Sequence, residues 1–159
     1  MNKSFDLIVI GTGEAGAPVA LRCRAAGWRV AIVDCRPFGG TCGQRGCDPK
    51  KVLVGAAQAV DWTRRLQGKG LTHDTQIDWP ALIRFKRTFT DPFPAAREGS
   101  FLKAGIEPIH GTARFISKTS IQVGNDVLDA KYFVVATGAW PAALNIPGEE
   151  HLTYSDQFM

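Results

Sequence analysis

Two cysteines, Cys42 and Cys47, lie in a stretch rich in glycine and lysine at 38–51. Inside a regular helix, residues five apart are separated by at least about 7.5 Å of axial rise, which exceeds the Cα separation that a disulfide spans. Cys42 must therefore precede the helix or lie in a distorted first turn, where Gly43 and Gly46 give the backbone the necessary freedom. The two thiols can then close a small ring at the N-terminus of a helix.

The predicted ring lies beside positive charge. A helix N-terminus and the neighbouring cations Arg45, Lys50 and Lys51 stabilise a thiolate. We therefore expect a lowered thiolate pKa and a cysteine pair that exchanges readily with other thiols and disulfides. The alternatives are a structural disulfide or half of a zinc site, although zinc needs a second ligand pair that the sequence does not contain.

The N-terminal segment predicts a nucleotide-binding βαβ unit. A short apolar run over 6–10 predicts a buried parallel strand, a helical pattern follows, and 28–34 predicts the second strand. Between the first strand and the helix lies a Gly-x-Gly-x-x-Gly motif, at Gly11, Gly13 and Gly16. In this context the first glycine permits a tight turn, the second a close approach of pyrophosphate, and the third close packing of the helix on the strand.

Three more residues of this unit are candidates for cofactor contact. Asp34 ends the second strand and would accept hydrogen bonds from ribose hydroxyls, which favours an adenosine ribose without a phosphate. Glu14 and Ala15 belong to the turn where the helix N-terminus receives the phosphates, and Glu14 would have to point outward from them. A glycine-rich turn without a ligand is the alternative.

Hydrophobic periodicity further along the chain predicts the rest of an α/β fold. We expect one helix over 50–65, a second that begins after an N-cap at Asp78, and a third over 95–104. A polar loop over 71–77 separates the first helix from the second. Parallel strands are expected over 106–111 and 132–136, and a small antiparallel meander over 112–115, 120–123 and 127–130. The predicted fold is a Rossmann-like domain with a parallel central sheet plus a small antiparallel β-meander.

The cysteine-containing stretch resembles the redox-active site of a known enzyme family. The family is the class I flavoprotein disulfide oxidoreductases, which include glutathione reductase, dihydrolipoamide dehydrogenase and mercury(II) reductase. The residues that match its motif, in the same register, are Gly39, Gly40, Thr41, Cys42, Cys47, Pro49 and Lys50 or Lys51. The resemblance implies FAD on the N-terminal nucleotide fold, NADPH or NADH as co-substrate, and a small disulfide or thiol-reactive substrate.

The resemblance also implies roles for individual residues. Cys47 would be the thiol nearest the flavin, Cys42 would attack the substrate, and Lys50, or Lys51 in its place, would lie near the flavin. The resemblance implies that Gly40, Thr41 and Cys42 also contact FAD, the first two at its ring and ribityl chain. It implies contacts with the adenine at Gly111 and Ala113, and with the adenosine and pyrophosphate at Ala136, Thr137 and Gly138.

The resemblance covers only the front part of the family's polypeptide. We interpret 1–147 as the first segment of a C-terminally truncated FAD-binding domain and 148–159 as the start of a linker to a missing pyridine-nucleotide domain. We expect such a fragment to bind FAD weakly or not at all and not to complete turnover, while its parent forms a homodimer. The alternatives are a nucleotide-binding module without turnover, or a non-enzymatic remnant.

Composition excludes several other classes of protein. The formal net charge of +4 is spread along the sequence without a basic run, so we expect no nucleic acid partner. The N-terminal apolar stretch is too short for a secretory signal, and no apolar run has membrane length, so we expect a cytoplasmic protein without a membrane partner. We expect no bound metal.

Overall fold

A computed structural model describes residues 2–72 and 75–159 of the chain. The predicted polar loop over 71–77 includes His73 and Asp74, which lie outside the described residues. The strands are β1 Asn2–Ile10, β2 Val30–Asp34, β3 Glu107–His110, β4 Ala113–Phe115, β5 Ser120–Val123 and β6 Asp126–Val135. The helices are α1 Gly16–Ala25, α2 Gly40–Arg45, α3 Cys47–Leu66, α4 Trp79–Thr90, α5 Phe93–Lys103 and α6 Ser155–Phe158, with a 3₁₀ turn at Glu149–His151.

The described strands form one six-stranded sheet in the order β3-β2-β1-β6-β5-β4. The first four strands in this order are parallel, while β6, β5 and β4 pair antiparallel as a meander. The predicted α/β fold with a mostly parallel sheet is therefore confirmed.

The boundary between meander and parallel sheet differs from the prediction. The expected strands over 127–130 and 132–136 are a single strand, β6, which pairs antiparallel with β5 over Asp126–Asp129 and parallel with β1 as far as Val135. One strand can serve both partners because each edge of a strand carries its own row of hydrogen-bonding groups. The meander therefore extends the central sheet.

Apolar side chains cover both faces of the sheet. The alternation along β2 places Val30 and Ile32 in a cluster with α1 and with Phe101 of α5. Ala31 and Val33 point the other way, into a cluster with the apolar residues of the meander. This two-sided burial explains why the central strands are nearly continuous apolar runs.

Two helices begin earlier than their patterns predict. Helix α3 begins at Cys47, and α5 begins at Phe93, where the neighbouring prolines are tolerated because the first turn of a helix needs no N–H partner. The predicted N-cap at Asp78 is present, since its Oδ1 accepts a hydrogen bond from the Ala81 amide at 3.0 Å. None of the helices in the described ranges combines the length and the hydrophobicity needed to cross a lipid bilayer.

Candidate functional site

The two thiols lie on successive helices that meet at a sharp break. Cys42 belongs to α2, and Cys47 is the first residue of α3. Between the helices, Gly46 has φ −135° and ψ −106°, which ends the helical path. The break avoids the axial separation that a continuous helix would impose, and the Cys42 and Cys47 side chains are free thiols in this structure.

The pKa of Cys42 lies above that of an ordinary cysteine. Its largest cause is the hydrogen bond with Cys47, which favours the neutral thiol, followed by partial burial and by the charge repulsion of Cys47, with a smaller repulsion from Asp48. Our prediction of a lowered pKa is therefore wrong for Cys42.

The cysteine-containing turn contacts the glycine motif of the nucleotide fold. Gly40 has φ +68°, and a Cβ added to it would lie 2.5 Å from the Cα atom of Gly13. The two backbones therefore touch at a distance that a side chain at position 40 would prevent. This contact joins the predicted redox site to the predicted phosphate site.

The glycine motif also fixes how β1, β6 and α1 meet. A Cβ at Gly11 would lie 2.1 Å from the Ala136 carbonyl oxygen, and one at Gly16 would lie 2.1 Å from the Gly11 carbonyl oxygen. The Ala136 amide in turn donates to the Ile10 carbonyl at 2.8 Å. Ala136, Thr137 and Gly138 thus follow β6 at the carboxyl edge of the sheet, beside the glycine motif.

Asp34 lies at the same edge, but its carboxylate is engaged within the protein. Its Oδ2 accepts hydrogen bonds from the Thr12 amide at 2.9 Å and from the Thr12 hydroxyl at 2.6 Å, and its Oδ1 accepts from the Arg36 amide at 3.0 Å. A carboxylate has further acceptor capacity, so the expected contact with a ribose stays a prediction. The Asp34 carbonyl accepts from the Gly111 amide at 2.8 Å, which brings Gly111 and the start of β4 at Ala113 to this region.

Thr12 is a structural residue of the site that the sequence analysis missed. Its side chain is fully buried, and while its hydroxyl donates to Asp34 it accepts from the Gly39 amide at 2.9 Å. It therefore links the end of β2 to the turn that carries the cysteines. A hydroxyl inside the glycine motif, with an acid at the end of the next strand, is the signal that would have indicated this role.

We predict that Thr12→Val destabilises the chain by about 1–3 kcal/mol, because the buried Gly39 amide loses its acceptor. Thr12→Ser keeps the hydroxyl and serves as the control, with a smaller loss. The free energy of unfolding from urea titration measures both variants. Equal stability of the valine and serine variants would contradict the bridging role.

Glu14 points out of the glycine motif and contacts Arg97 of α5. Its side chain is 65% exposed, and Oε1 lies 3.8 Å from Arg97 Nη2. Arg97 Nε is buried and has no hydrogen-bond partner among the described residues. The Arg97 guanidinium, whose Nε has a free hydrogen-bond donor, thus lies beside the glycine motif. No local sequence pattern predicted this position.

The remaining predicted residues lie around the thiols. Lys50 and Lys51 are exposed in the first turns of α3, and the Lys50 amide donates to the Gly46 carbonyl at 3.1 Å. Thr41 is exposed beside Cys42 on α2. Within the described ranges, no cluster of three or more histidine, cysteine or acidic side chains has a geometry that would hold a metal ion.

The site has the features that an anionic dinucleotide needs. The N-terminus of α1 carries a partial positive charge, and the Gly13 and Gly40 backbones form a surface without side chains. Arg97, although it pairs with exposed Glu14, keeps a free Nε donor beside this surface. The residues present therefore fit FAD.

Comparison with known proteins agrees with this geometry. Residues 5–159 match the family described as "Pyridine nucleotide-disulphide oxidoreductase", and the chain belongs to that family, as the resemblance of its cysteine motif implied. It is 32% identical to a dihydrolipoyl dehydrogenase of Mycoplasma genitalium over 92% of this chain and 32% of that protein. It is 34% identical to a trypanothione reductase of Trypanosoma congolense over 99% of this chain and 37% of that protein.

A glutathione reductase of Schizosaccharomyces pombe is 32% identical over 99% of this chain and 36% of that protein. The chain therefore spans only about a third of the length of the curated relatives it matches. The family consists of flavoprotein oxidoreductases, so the nucleotide fold and the thiol pair described here belong to a redox enzyme family.

Proposed function

We propose that this chain forms the front part of an FAD-dependent disulfide oxidoreductase, in which electrons pass from NADH or NADPH through FAD to Cys42 and Cys47 and on to a disulfide or thiol-reactive substrate. The observation that carries the proposal is the contact of Gly40 with Gly13. It joins the turn that holds the free thiols of Cys42 and Cys47 to the glycine motif of a nucleotide fold.

Within this proposal, the cofactor is held mainly by backbone. The N-terminus of α1 and Gly13 would receive the pyrophosphate, with Arg97 as a cation beside it, and Asp34 would accept from the ribose. Gly40, Thr41 and Lys50, with Lys51 as the alternative lysine, would lie nearest the flavin. Bound FAD would supply the electron pair that opens the disulfide.

The thiol chemistry requires two sulfur atoms that can bond to each other. In the oxidised protein, the Cys42–Cys47 bond takes up two electrons and two protons and becomes two thiols. The Cys42 sulfur, as thiolate, then bonds to one sulfur of a substrate disulfide, and the other substrate sulfur leaves as a thiol. The Cys47 sulfur attacks Cys42, which closes the protein disulfide again and releases the second substrate thiol.

We propose a homodimer for the parent protein. Large apolar side chains on α3 and α4 are exposed in this chain, including Trp62 at 65% and Phe85 at 55%. Exposed apolar area of this kind supports coverage by another part of the parent protein or by a second subunit.

A redox titration of the chain tests the thiol part of the function. After equilibration in glutathione buffers of graded potential, we expect two of the four cysteines to lose their free thiols together, in one two-electron transition. Peptide mapping should then recover Cys42 linked to Cys47. Independent oxidation of single cysteines, with no linked peptide, would show that the pair is not a redox disulfide.

We predict that Arg97→Gln weakens FAD binding about tenfold, because a charge-assisted contact with phosphate is lost. Glu14→Gln should strengthen it, since the glutamine no longer repels the phosphates or competes for Arg97. Quenching of flavin fluorescence measures both affinities, and Glu150→Gln, which removes an exposed charge paired with His151, is the control. If Arg97→Gln binds FAD as well as the unchanged chain does, the pyrophosphate is not held at this corner of the fold.

A further inference from the structure

Residues 149–159, here called the carboxyl segment, pack against the helix that carries Cys42. Helix α6 of this segment contacts α2. Asp156 Oδ2 lies 3.0 Å from Arg45 Nε and 3.2 Å from Arg36 Nη1. The Arg45 side chain is only 15% exposed and that of Asp156 26%, so the pair lies mostly out of solvent. Its electrostatic effect on the surroundings is therefore less screened than that of a surface pair.

Several other contacts hold the carboxyl segment in this place. Lys86 of α4, which is buried, donates to the Met159 carbonyl oxygen. The rings of Trp79 and Phe158 have centroids 6.1 Å apart. The position of Asp156 thus depends on packing as well as on its two ion pairs.

Arg45 is the cation closest to the thiols along the chain. It stands three residues after Cys42 in α2, a spacing that places two side chains next to each other on a helix surface, and two residues before Cys47. A free guanidinium there would stabilise a thiolate on either cysteine. In this structure its charge is paired with the Asp156 carboxylate.

Other charged or titratable groups belong to the elements that pack against α2. They are Cys47, Asp48, Lys50, Lys51, Asp61, Arg64 and Arg65 on α3, Arg84, Lys86 and Arg87 on α4, Arg97, Glu98 and Lys103 on α5, and Asp156 on α6. Lys50 and Lys51 are exposed to solvent, Lys86 bonds the carboxyl segment, Arg97 pairs with Glu14, and Glu98 pairs with His110. Arg45 with Asp156 is therefore the half-buried charge pair that lies on the helix of Cys42 itself.

We propose that Asp156 is a positioning residue for the thiol pair, which withholds the positive charge of Arg45 from Cys42 and so keeps this cysteine a neutral thiol. The inference rests on the proposed function in treating Cys42 and Cys47 as the reactive pair. The carboxyl segment thereby sets the reactivity of a site more than a hundred residues earlier in the chain, since Arg45 and Asp156 are 111 positions apart.

The rate at which iodoacetamide alkylates each cysteine of the reduced chain, measured as a function of pH, tests this inference. Peptide mass spectrometry assigns the alkylation to the individual cysteines. Asp156→Asn frees the Arg45 charge, so the midpoint of the pH dependence of Cys42 alkylation should move to lower pH. For a shift of one pKa unit, the alkylation rate at neutral pH rises by up to about tenfold. Arg45→Gln should move the midpoint in the opposite direction. The double variant should return close to the unchanged chain, because the pair is removed as a whole.

Two comparisons separate this effect from a structural one. Loss of packing of the carboxyl segment would expose Cys42 in both single variants and shift both midpoints the same way, which would overturn the inference. An unchanged Cys42 midpoint in Asp156→Asn would overturn it as well. Glu150→Gln removes one negative charge from the same segment and should leave the midpoint in place. The redox titration above judges the proposed function separately, since alkylation requires neither FAD nor disulfide formation.

Discussion

Replacing Cys47 by serine is expected to trap the chain as a mixed disulfide at Cys42. In the reduced, unchanged chain, a thiolate attacks the aromatic disulfide 5,5′-dithiobis(2-nitrobenzoate) and releases one thionitrobenzoate, and the partner cysteine then displaces a second one. The second step is fast because the two thiols lie on successive helices that meet at Gly46, which is equivalent to a very high local thiol concentration. Without Cys47, this release should be at least about a thousandfold slower.

Absorbance of the released thionitrobenzoate and the mass of the protein product measure this prediction. Cys42→Ser should trap the adduct at Cys47 in the same way. Cys23→Ser and Cys35→Ser are matched controls, because these two cysteines lie outside the pair, and both variants should keep the rapid second release. A rapid second release from Cys47→Ser would mean that another thiol resolves the adduct, and the proposed pair would be wrong.

Gly11→Ala is expected to cost about 2–6 kcal/mol of folding free energy, combining a strained positive φ with overpacking. Gly11 has φ +109°, and its added Cβ would lie 2.1 Å from a backbone oxygen, which cannot move aside as a flexible side chain can. Domains of this size are stable by about 5–15 kcal/mol, so this loss is a large part of the total. Urea unfolding followed by circular dichroism measures it.

Gly55→Ala is the matched control for this prediction. Gly55 lies within α3, and an added Cβ meets nothing within 4 Å, so alanine should stabilise the helix by roughly 0.5–1 kcal/mol. If Gly11→Ala and Gly55→Ala were equally stable, the close contact between β1 and the end of β6 would not exist in solution.

The sequence predicted those parts of the fold that depend on local patterns. The buried strand β2, the glycine turn after β1 and the N-cap at Asp78 follow from short runs of residues whose physical preferences agree. The continuous strand β6 did not follow, because whether two neighbouring runs form one strand depends on the partners at both of its edges. The same applies to α2, whose separation from α3 depends on the backbone at Gly46.

In the candidate site, too, the residues that local sequence patterns indicate were predicted, and those that act through distant contacts were not. Both cysteines and the three glycines were found from type and spacing. Thr12, Arg97 and Asp156 were missed, because each acts on a residue far away in sequence, by 22 positions for the bond from Thr12 to Asp34. The predicted pKa of Cys42 was wrong because the interaction with Cys47 and partial burial raise it, and local sequence shows neither effect.

The touching backbones of Gly40 and Gly13 carry a thermodynamic consequence. A displacement of Gly40 on closure of the Cys42–Cys47 bond would change the surface that Gly13 offers to a dinucleotide. If the oxidised and reduced chains then differ in affinity for FAD by some factor, linkage requires that FAD alter the equilibrium between disulfide and dithiol by that same factor. In the proposed enzyme, one coupling free energy would then link FAD binding to the reduction potential of the two cysteines.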